Sequence, residues 1–207
     1  MARLRPYTHL RRADPVLAAL LDEHGEPPLR EAVGGAGGPF SALVRAIVGQ
    51  QLSVLAARAI YGRFLEFCGG TPPTPQQILD ADPDAMRAAA GLSRAKTGYL
   101  RSLAEHVLSG ELELDRVGEL GDDELIAELT AVKGLGTWTA HMFMIFELRR
   151  PDVLATGDLG VRRGAQRAFG FAGLPSHDEL SALAEPWRPH RSAACLLLWH
   201  SLSNAPG

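Results

Sequence analysis

The chain of 207 residues contains only two cysteines, Cys68 and Cys195. Two thiolates cannot ligate an iron–sulfur cluster or a structural zinc ion that needs four cysteine ligands. No spacing of His, Cys and Asp along the chain is typical of a metal site, so we expect no metal. Because the cytosol is reducing, two free and buried thiols are the prediction rather than a disulfide.

Long apolar runs are also absent, and none approaches the ~20 residues of a membrane-spanning helix. The N-terminus has neither the apolar core nor the cleavage site of a signal peptide, so we expect a cytoplasmic protein. Hydrophobic residues make up 46% and charged residues 22% of the chain, which excludes a disordered protein. The length predicts one domain, or two small domains that share a core.

Lysine is nearly absent, since Lys96 and Lys133 stand against 19 arginines. The net charge is −3 and the pI is near 6.2, and this composition alone argues against a polyanionic partner. The charge is nevertheless uneven. Nine carboxylates and one arginine lie in residues 105–128, whereas residues 149–167 hold five arginines and two aspartates. Such asymmetry indicates either a basic face on an acidic protein or merely solvated helix faces.

Apolar residues recur with the period of an amphipathic helix in residues 40–48. A second helix is predicted to begin after Ser53, whose side chain can cap it, and to reach Phe67. Further helices are predicted at Pro75–Asp80, Pro83–Ala90, Ser93–Val107, Asp122–Ala131, Thr137–Leu148, Leu159–Phe169, His177–Ala184 and Arg191–Leu202. Strand patterns are scarce, and Gly34–Gly38 has the composition of a linker. The predicted fold class is all-α, with about nine or ten short helices.

The segment from Leu129 to Gly164 carries the most specific pattern. Two predicted helices are joined by Gly134-Leu135-Gly136, where paired glycines permit backbone conformations closed to other residues. Such a turn exposes the N–H groups of the next helix, which form an anion site together with the helix dipole. Leu135 is expected to pack inward. The pattern is typical of a helix–hairpin–helix that grips a DNA phosphate, although most Gly-x-Gly turns are only tight connections.

Four stretches share their order and spacing with a known family. They are Ala46–Ser53, Gly91–Lys96 with Tyr99 and Leu100, Lys133–Ala140 with Arg150–Asp158, and Pro186–Pro189 with Arg191, Ser192 and Trp199. In this order they resemble the helix–hairpin–helix DNA glycosylase superfamily, and within it the 3-methyladenine DNA glycosylase II branch of alkylation repair. The resemblance covers about residues 38–203. Asp158 lies 22 residues after Gly136, which is about where that superfamily carries an essential aspartate.

The resemblance implies a helix–hairpin–helix glycosylase fold with two helical subdomains, an active-site cleft between them and no N-terminal β-domain. We assign residues 1–38 to an N-terminal arm and first helix that packs with the C-terminal helices. Residues 39–150 are predicted to form the helical subdomain that contains the helix–hairpin–helix. Residues 151–207 would hold the catalytic-aspartate loop and the C-terminal helices.

Asp158 is the predicted catalytic residue. Cleavage of an N-glycosidic bond develops positive charge on the sugar, which a carboxylate stabilises while it orients water. Because Asp158 precedes a predicted helix, an N-cap is its alternative role. Asp152 in the same loop is predicted to be a turn residue. Bifunctional relatives carry a Schiff-base lysine two residues after the second glycine; Trp138 stands there, so the resemblance implies an enzyme without lyase activity.

A target base must leave the duplex before it can be attacked, and a side chain must fill the gap. The family places this wedge at the turn that holds Gln51 and Leu52 here, although Gln50 and Gln51 could instead cap helix ends. Alkylated bases are cationic and favour aromatic faces, so three residues are predicted to line the base pocket, with the core as their alternative. These are Trp138, Trp199 and Tyr61. Trp187 is predicted to lie in the core or between packed helices. Tyr99 either lines the pocket or lies in the core, and the core is the preferred interpretation.

The predicted phosphate contacts follow the hairpin and the arginine-rich segment. They are Lys133, Gly134, Gly136, Thr137, Thr139, Arg162 and Arg163. His141 either reaches a phosphate or is an ordinary surface histidine. The resemblance also implies a monovalent cation on the hairpin carbonyls, and we expect no other cofactor. The predicted partner is double-stranded DNA with damaged bases, bound by a monomer.

The leading hypothesis is a monofunctional DNA glycosylase that flips out and hydrolyses alkylated bases of the 3-methyladenine and 7-methylguanine type in base excision repair. One alternative is a glycosylase for deaminated or oxidised bases. The other is a helix–hairpin–helix module that binds DNA without catalysis. Asp158 argues against the last alternative, because a carboxylate near phosphates does not help a protein that only binds DNA.

Overall fold

A computed structural model describes residues 5–29 and 37–203. Over these residues it contains twelve α-helices, one short 3-10 helix (Glu185–Trp187) and no strand. The α-helices are α1 (Pro6–Ala13), α2 (Pro15–His24), α3 (Gly38–Gly49), α4 (Val54–Phe67), α5 (Pro75–Asp80), α6 (Pro83–Ala90), α7 (Arg94–Ser109), α8 (Asp122–Ala131), α9 (Thr137–Phe146), α10 (Leu159–Phe169), α11 (His177–Leu183) and α12 (Arg191–Ser203). The all-α class is confirmed. The predicted linker Gly34–Gly38 lies outside the described residues, except for its last two.

The chain forms two compact units. The first unit comprises Met1–Ala32 and Met144–Gly207, and the second comprises Val33–Phe143. In the first, α12 packs against α2 and α10; in the second, α7 packs against α3, α5 and α6. The N-terminal segment therefore shares a unit with the C-terminal helices, and it contains two helices rather than one.

Local capping explains where most helices begin. Ser53 accepts the backbone N–H of Ala56 at the start of α4, as its sequence position predicts. Reciprocal capping boxes start α5 and α11, where an N-cap hydroxyl and a side chain three residues later satisfy each other's backbone N–H. Proline occupies the first turn of α1, α2, α5 and α6, where its missing N–H costs nothing.

Asp14 connects the N-terminal helices to the core of the first unit. One carboxylate oxygen accepts the N–H groups of Val16 and Leu17 and so caps α2. The other accepts the indole N–H of Trp187 at 2.8 Å. Trp187 is completely buried, which confirms its predicted place in the core. A buried polar group costs free energy unless it is paired, so this carboxylate and this indole depend on each other.

Both thiols are free, as predicted. Cys195 is buried, and desolvation raises the pKa of its thiol to about 12, whereas Cys68 is only partly buried and its pKa is raised by the same cause. Within the described residues, no cluster of three or more His, Cys, Asp or Glu side chains could hold a metal ion. In that same part of the chain, no helix has both the length and the apolar character of a membrane span.

Removal of the Asp14 side chain is expected to destabilise the first unit strongly. Asp14→Ala loses an N-cap, worth about 1 kcal/mol, and leaves a buried indole N–H unpaired at about 1–3 kcal/mol. We expect the free energy of unfolding, measured by urea denaturation, to fall by about 2–4 kcal/mol. Asp82→Ala is the matched control, because Asp82 caps α6 at an exposed position and has no tryptophan partner. Equal losses in the two variants would contradict this account.

Candidate active site and nucleic-acid interface

The hairpin between α8 and α9 has the geometry of a helix entrance that an anion can approach. The carbonyl of Gly136 accepts the N–H of Ala140, so Gly136 is the cap residue of α9. Leu135 is buried, as predicted. The first N–H groups of a helix have no partners within it, and the positive end of the helix dipole lies at the same place. The turn therefore presents a partial positive charge beside the exposed Lys133.

The two hairpin glycines are needed for different reasons. Gly134 has a φ of 94°, and a Cβ there would penetrate the ring of Tyr99. Gly136 has no positive φ, and a Cβ there would meet no atom of the protein within 4 Å. Of the two glycines, only Gly134 therefore uses the backbone freedom that glycine permits. The missing side chain of Gly136 instead keeps open the approach to the N-terminus of α9.

Side chains around the hairpin differ in their access to solvent. Thr137 is exposed, but Thr139 is only 3% exposed. We therefore no longer expect the side chain of Thr139 to contact a phosphate. Trp138 is 44% exposed, which excludes the core as its place. His141 is partly buried, and desolvation lowers the pKa of its imidazole.

The hairpin carbonyls already accept hydrogen bonds. Val132 O accepts the N–H of Leu135 at 3.0 Å, and Gly134 O accepts the Nε2 amide of Gln50 at 2.8 Å. Each of these two oxygens therefore has one of its two acceptor positions occupied. We assign no step to the monovalent cation that the resemblance implied.

The turn between α3 and α4 carries the predicted wedge. Gln51 is exposed and has a φ of 57°, one of two non-glycine residues with a positive φ among those described. Its side chain makes no hydrogen bond within that part of the chain, so Gln51 does not cap a helix. Leu52 is also exposed. Directly after it, Val54 and Leu55 are 84% and 80% exposed, which makes this turn an apolar projection with one strained glutamine.

Asp158 is held at the N-terminus of α10. Its Oδ1 atom accepts the backbone N–H of Val161 at 2.8 Å, so the N-cap role is confirmed. The same oxygen accepts the indole N–H of Trp199 at 2.7 Å. Trp199 in turn stacks on Phe146, with ring centroids 5.7 Å apart. The cap role and a catalytic role do not conflict, because both need an oriented, ionised carboxylate.

Two glycines on α10 permit this approach of Trp199. A Cβ on Gly160 would lie 2.7 Å from the Trp199 ring, and a Cβ on Gly164 would lie 2.6 Å from the carbonyl oxygen of Leu198. Gly160 and Gly164 are one helical turn apart, so they form a flat strip on which α12 lies. The strip brings the indole N–H within hydrogen-bonding distance of the carboxylate.

The loop before Asp158 is fastened to the start of α12. Asp152 accepts hydrogen bonds from Arg191 Nε at 2.8 Å and from Arg188 Nη1 at 2.7 Å. The hydroxyl of Ser192 donates to Arg150 O and accepts the N–H of Val153. Asp152 is thus a turn residue, as predicted, but also the anchor of the loop. Through these bonds the stretch around Arg150 contacts the stretch around Arg191 in the folded protein.

The remaining predicted residues lie in varied surroundings. Arg163 is exposed, whereas Arg162 donates its Nε to the carbonyl of Pro175 at 2.8 Å. Tyr61 is partly buried; its hydroxyl lies 3.2 Å from Ser41 Oγ, and Arg45 lies over its ring. The hydroxyl of Tyr61 and one face of its ring therefore both have partners within the protein.

Sequence reasoning missed one group of residues. Lys96 donates its ammonium to the carbonyls of Val48 and Gln50, at 2.7 and 2.8 Å. With the bond from Gln50 to Gly134, it links the wedge turn to the hairpin. The available signal was the scarcity of lysine, since one of only two lysines lies in the first turn of α7.

The fold and these sites define an all-helical protein with a helix–hairpin–helix and a separately anchored aspartate at a helix N-terminus. The chain belongs to the HhH-GPD superfamily of base excision DNA repair proteins, whose profile matches residues 44–189.

Individual relatives support this membership. The chain is 39% identical over 163 residues to DNA-3-methyladenine glycosylase 1 of Schizosaccharomyces pombe, covering 78% of this chain and 71% of that protein. A Schizosaccharomyces pombe 3-methyladenine DNA glycosylase in complex with abasic DNA matches with a TM-score of 0.85 and 34% identity, over 95% of each chain. A Bacillus halodurans DNA-3-methyladenine glycosidase matches with a TM-score of 0.85 and 37% identity, over 98% of this chain and 91% of that one.

Substitution of the two hairpin glycines should separate folding from DNA binding. Gly134→Ala forces a Cβ into the Tyr99 ring and strains a positive φ, so we expect a loss of about 2–4 kcal/mol in stability. Gly136→Leu should leave the unfolding midpoint nearly unchanged. It should weaken binding to undamaged duplex DNA about tenfold, because a charge-assisted hydrogen bond contributes about 1.5 kcal/mol. Fluorescence anisotropy and thermal denaturation measure the two effects. Unchanged DNA affinity in Gly136→Leu would remove the hairpin from the interface.

Proposed function

We propose that this protein is a monofunctional DNA glycosylase that excises alkylated bases, of the 3-methyladenine and 7-methylguanine type, from double-stranded DNA as a monomer. The observation that carries the proposal is the carboxylate of Asp158, fixed by Val161 and Trp199 at the start of α10. Relatives named DNA-3-methyladenine glycosylase support the choice of alkylated bases.

The chemistry of an alkylated base fits a single carboxylate. Alkylation of a ring nitrogen makes the base cationic, so the base departs as a neutral molecule with the electrons of the glycosidic bond. No general acid is then needed for the leaving group. Positive charge develops on the sugar instead, where the negative charge of Asp158 stabilises it and orients the attacking water. Water supplies the hydroxyl of the new abasic sugar, and its second proton passes to solvent.

The proposed DNA contacts divide the work of holding and opening the duplex. The start of α9, left open by Gly136, binds a backbone phosphate without reading the sequence, together with Lys133 and Thr137. Gln51 fills the space that the extruded base leaves, and Leu52 with its exposed apolar neighbours contacts the widened groove. Arg163 adds a phosphate contact, whereas the bond from Arg162 to Pro175 limits that residue to its remaining guanidinium nitrogens.

The same proposal includes the absence of lyase activity, because a lyase needs a free primary amine at the sugar. The position where bifunctional relatives carry the Schiff-base lysine is Trp138. Lys96 donates its ammonium to two backbone carbonyls. Lys133 lies before the hairpin glycines on an exposed turn.

Neutralisation of Asp158 tests the catalytic proposal. Asp158→Asn keeps an N-cap and an oxygen for Trp199, so the fold should persist. We expect release of 3-methyladenine and 7-methylguanine from methylated DNA to slow about 100-fold or more under single-turnover conditions. Asp82→Asn, the same change at the N-cap of α6, is the matched control and should react like the wild type. A wild-type rate in Asp158→Asn would show that another group stabilises the transition state.

Borohydride trapping tests the monofunctional part. Wild-type protein incubated with DNA that contains an alkylated base or an abasic site, in the presence of sodium borohydride, should give no covalent protein–DNA adduct on a denaturing gel. A lysine Schiff base would be reduced to a stable adduct under these conditions. An adduct that disappears in Lys133→Arg would refute the assignment and identify the amine.

A further inference from the structure

The stretch Gly91–Lys96 with Tyr99 belongs to the pattern of the family, yet the proposed reaction assigns it no task. The structure places it at the start of α7, where Ser93 caps the helix. Lys96 and Tyr99 are three residues apart and therefore lie on the same face of α7. Lys96 contacts the wedge turn and Tyr99 contacts the hairpin.

Lys96 holds the end of α3. Its ammonium donates to Val48 O at 2.7 Å and to Gln50 O at 2.8 Å, so it satisfies carbonyls that the helix leaves without partners. A positive charge at a helix C-terminus is also favoured by the helix dipole. Because Gln50 O belongs to the peptide bond between Gln50 and Gln51, Lys96 fixes the peptide plane that precedes the wedge.

The other side of Gln51 is fixed as well. The N–H of Leu52 donates to Gly49 O at 3.3 Å, which closes the turn. Gln51 thus lies between two restrained peptide planes, and its φ of 57° is imposed on it. Such strain persists only where the surrounding structure determines it. The exposed side chain is therefore aimed by its neighbours and not by contacts of its own.

Gln50 connects this turn to the hairpin. Its Nε2 donates to Gly134 O at 2.8 Å, across 84 positions of sequence. Tyr99 covers Gly134 so closely that a Cβ there has no room. The wedge turn, the hairpin and α7 are therefore joined by hydrogen bonds and van der Waals contact inside one compact unit.

We propose that Lys96 and Gln50 are positioning residues that hold the Gln51 wedge at a fixed offset from the phosphate-binding hairpin, so that the phosphate grip drives base extrusion. The inference rests on the proposed function. Extrusion costs a few kcal/mol in unpairing and unstacking, and a wedge on a loose turn would recoil instead of filling the stack. While these contacts hold, the free energy gained when the hairpin binds a phosphate can offset the cost of extruding the base.

The test uses Lys96→Met and Gln50→Met, which keep side-chain length but remove the donors. We expect single-turnover excision of an alkylated base from a fully paired duplex to slow about tenfold or more. The reason is that part of the extrusion cost, which is a few kcal/mol, is then no longer offset. When the same base lies opposite an abasic analogue, extrusion is easier, and the variants should recover to within about twofold of the wild type. Lys96→Arg should restore most of the rate, because a guanidinium can also donate to both carbonyls.

Arg101→Met is the matched control. Arg101 lies on the same helix and donates to the carbonyls of Ile78, Leu79 and Ala81 at the end of α5, away from the wedge turn. The Arg101→Met variant should be less stable in thermal denaturation. Any change in its excision rate should not depend on whether the target base is paired. If Lys96→Met and Gln50→Met slow both substrates equally, or behave like Arg101→Met, the linkage has only a structural role.

A double-mutant cycle with Gln51→Ala gives an independent result. If Lys96 and Gln50 act through the wedge, adding Gln51→Ala to either variant should cause little further loss on the paired duplex. Fully additive losses would overturn the inference. Failure of the proposed function gives a different pattern, since wild-type protein would then release no alkylated base from either substrate.

Discussion

Helix ends leave backbone groups without partners, and a protein built of short helices has many such ends. In this protein the same ends carry the candidate chemistry. Asp158 completes the start of α10, and the start of α9 is left open by Gly136. Lys96 completes the end of α3. A side chain that satisfies a helix end is oriented with little freedom, which is what a reacting or gripping group needs. Capping and the proposed function therefore use the same atoms here.

Local patterns were sufficient for most of the fold. The predicted bounds of α5, α6, α8 and α10 agree with the structure, because prolines, glycines and capping side chains mark them within a few residues. α9 ends at Phe146, two residues earlier than predicted, and the chain then turns at Arg149 with a φ of 54°. The two N-terminal helices were not located individually. One of their contacts with the C-terminal part of the chain is the bond between Asp14 and Trp187, which are 173 positions apart and share no local signal.

The candidate site was predictable to a similar depth. The hairpin glycines were found from a short local motif, whereas Asp158 was found from its spacing after Gly136, which resembles that of the family. The hydrogen bonds of Lys96 and Gln50 were not predicted, since their partners lie 46 and 84 positions away and only the fold brings them together. Burial was another limit: Thr139 lies in the first turn of α9 like Thr137, yet packing turns only one of them toward solvent. Periodicity gives the face of a helix but not what covers it.

The scarcity of lysine has a consequence for the release of product. On the proposed reaction the product is an abasic sugar, whose ring-opened form is an aldehyde, and aldehydes condense with primary amines. Guanidinium groups bind phosphate equally well but are not nucleophilic at neutral pH. One of the two lysines is occupied by the backbone carbonyls of α3, so Lys133 is the single lysine side chain exposed on the surface. A phosphate contact made through Arg163, as proposed, can therefore release the product without becoming covalently attached to it.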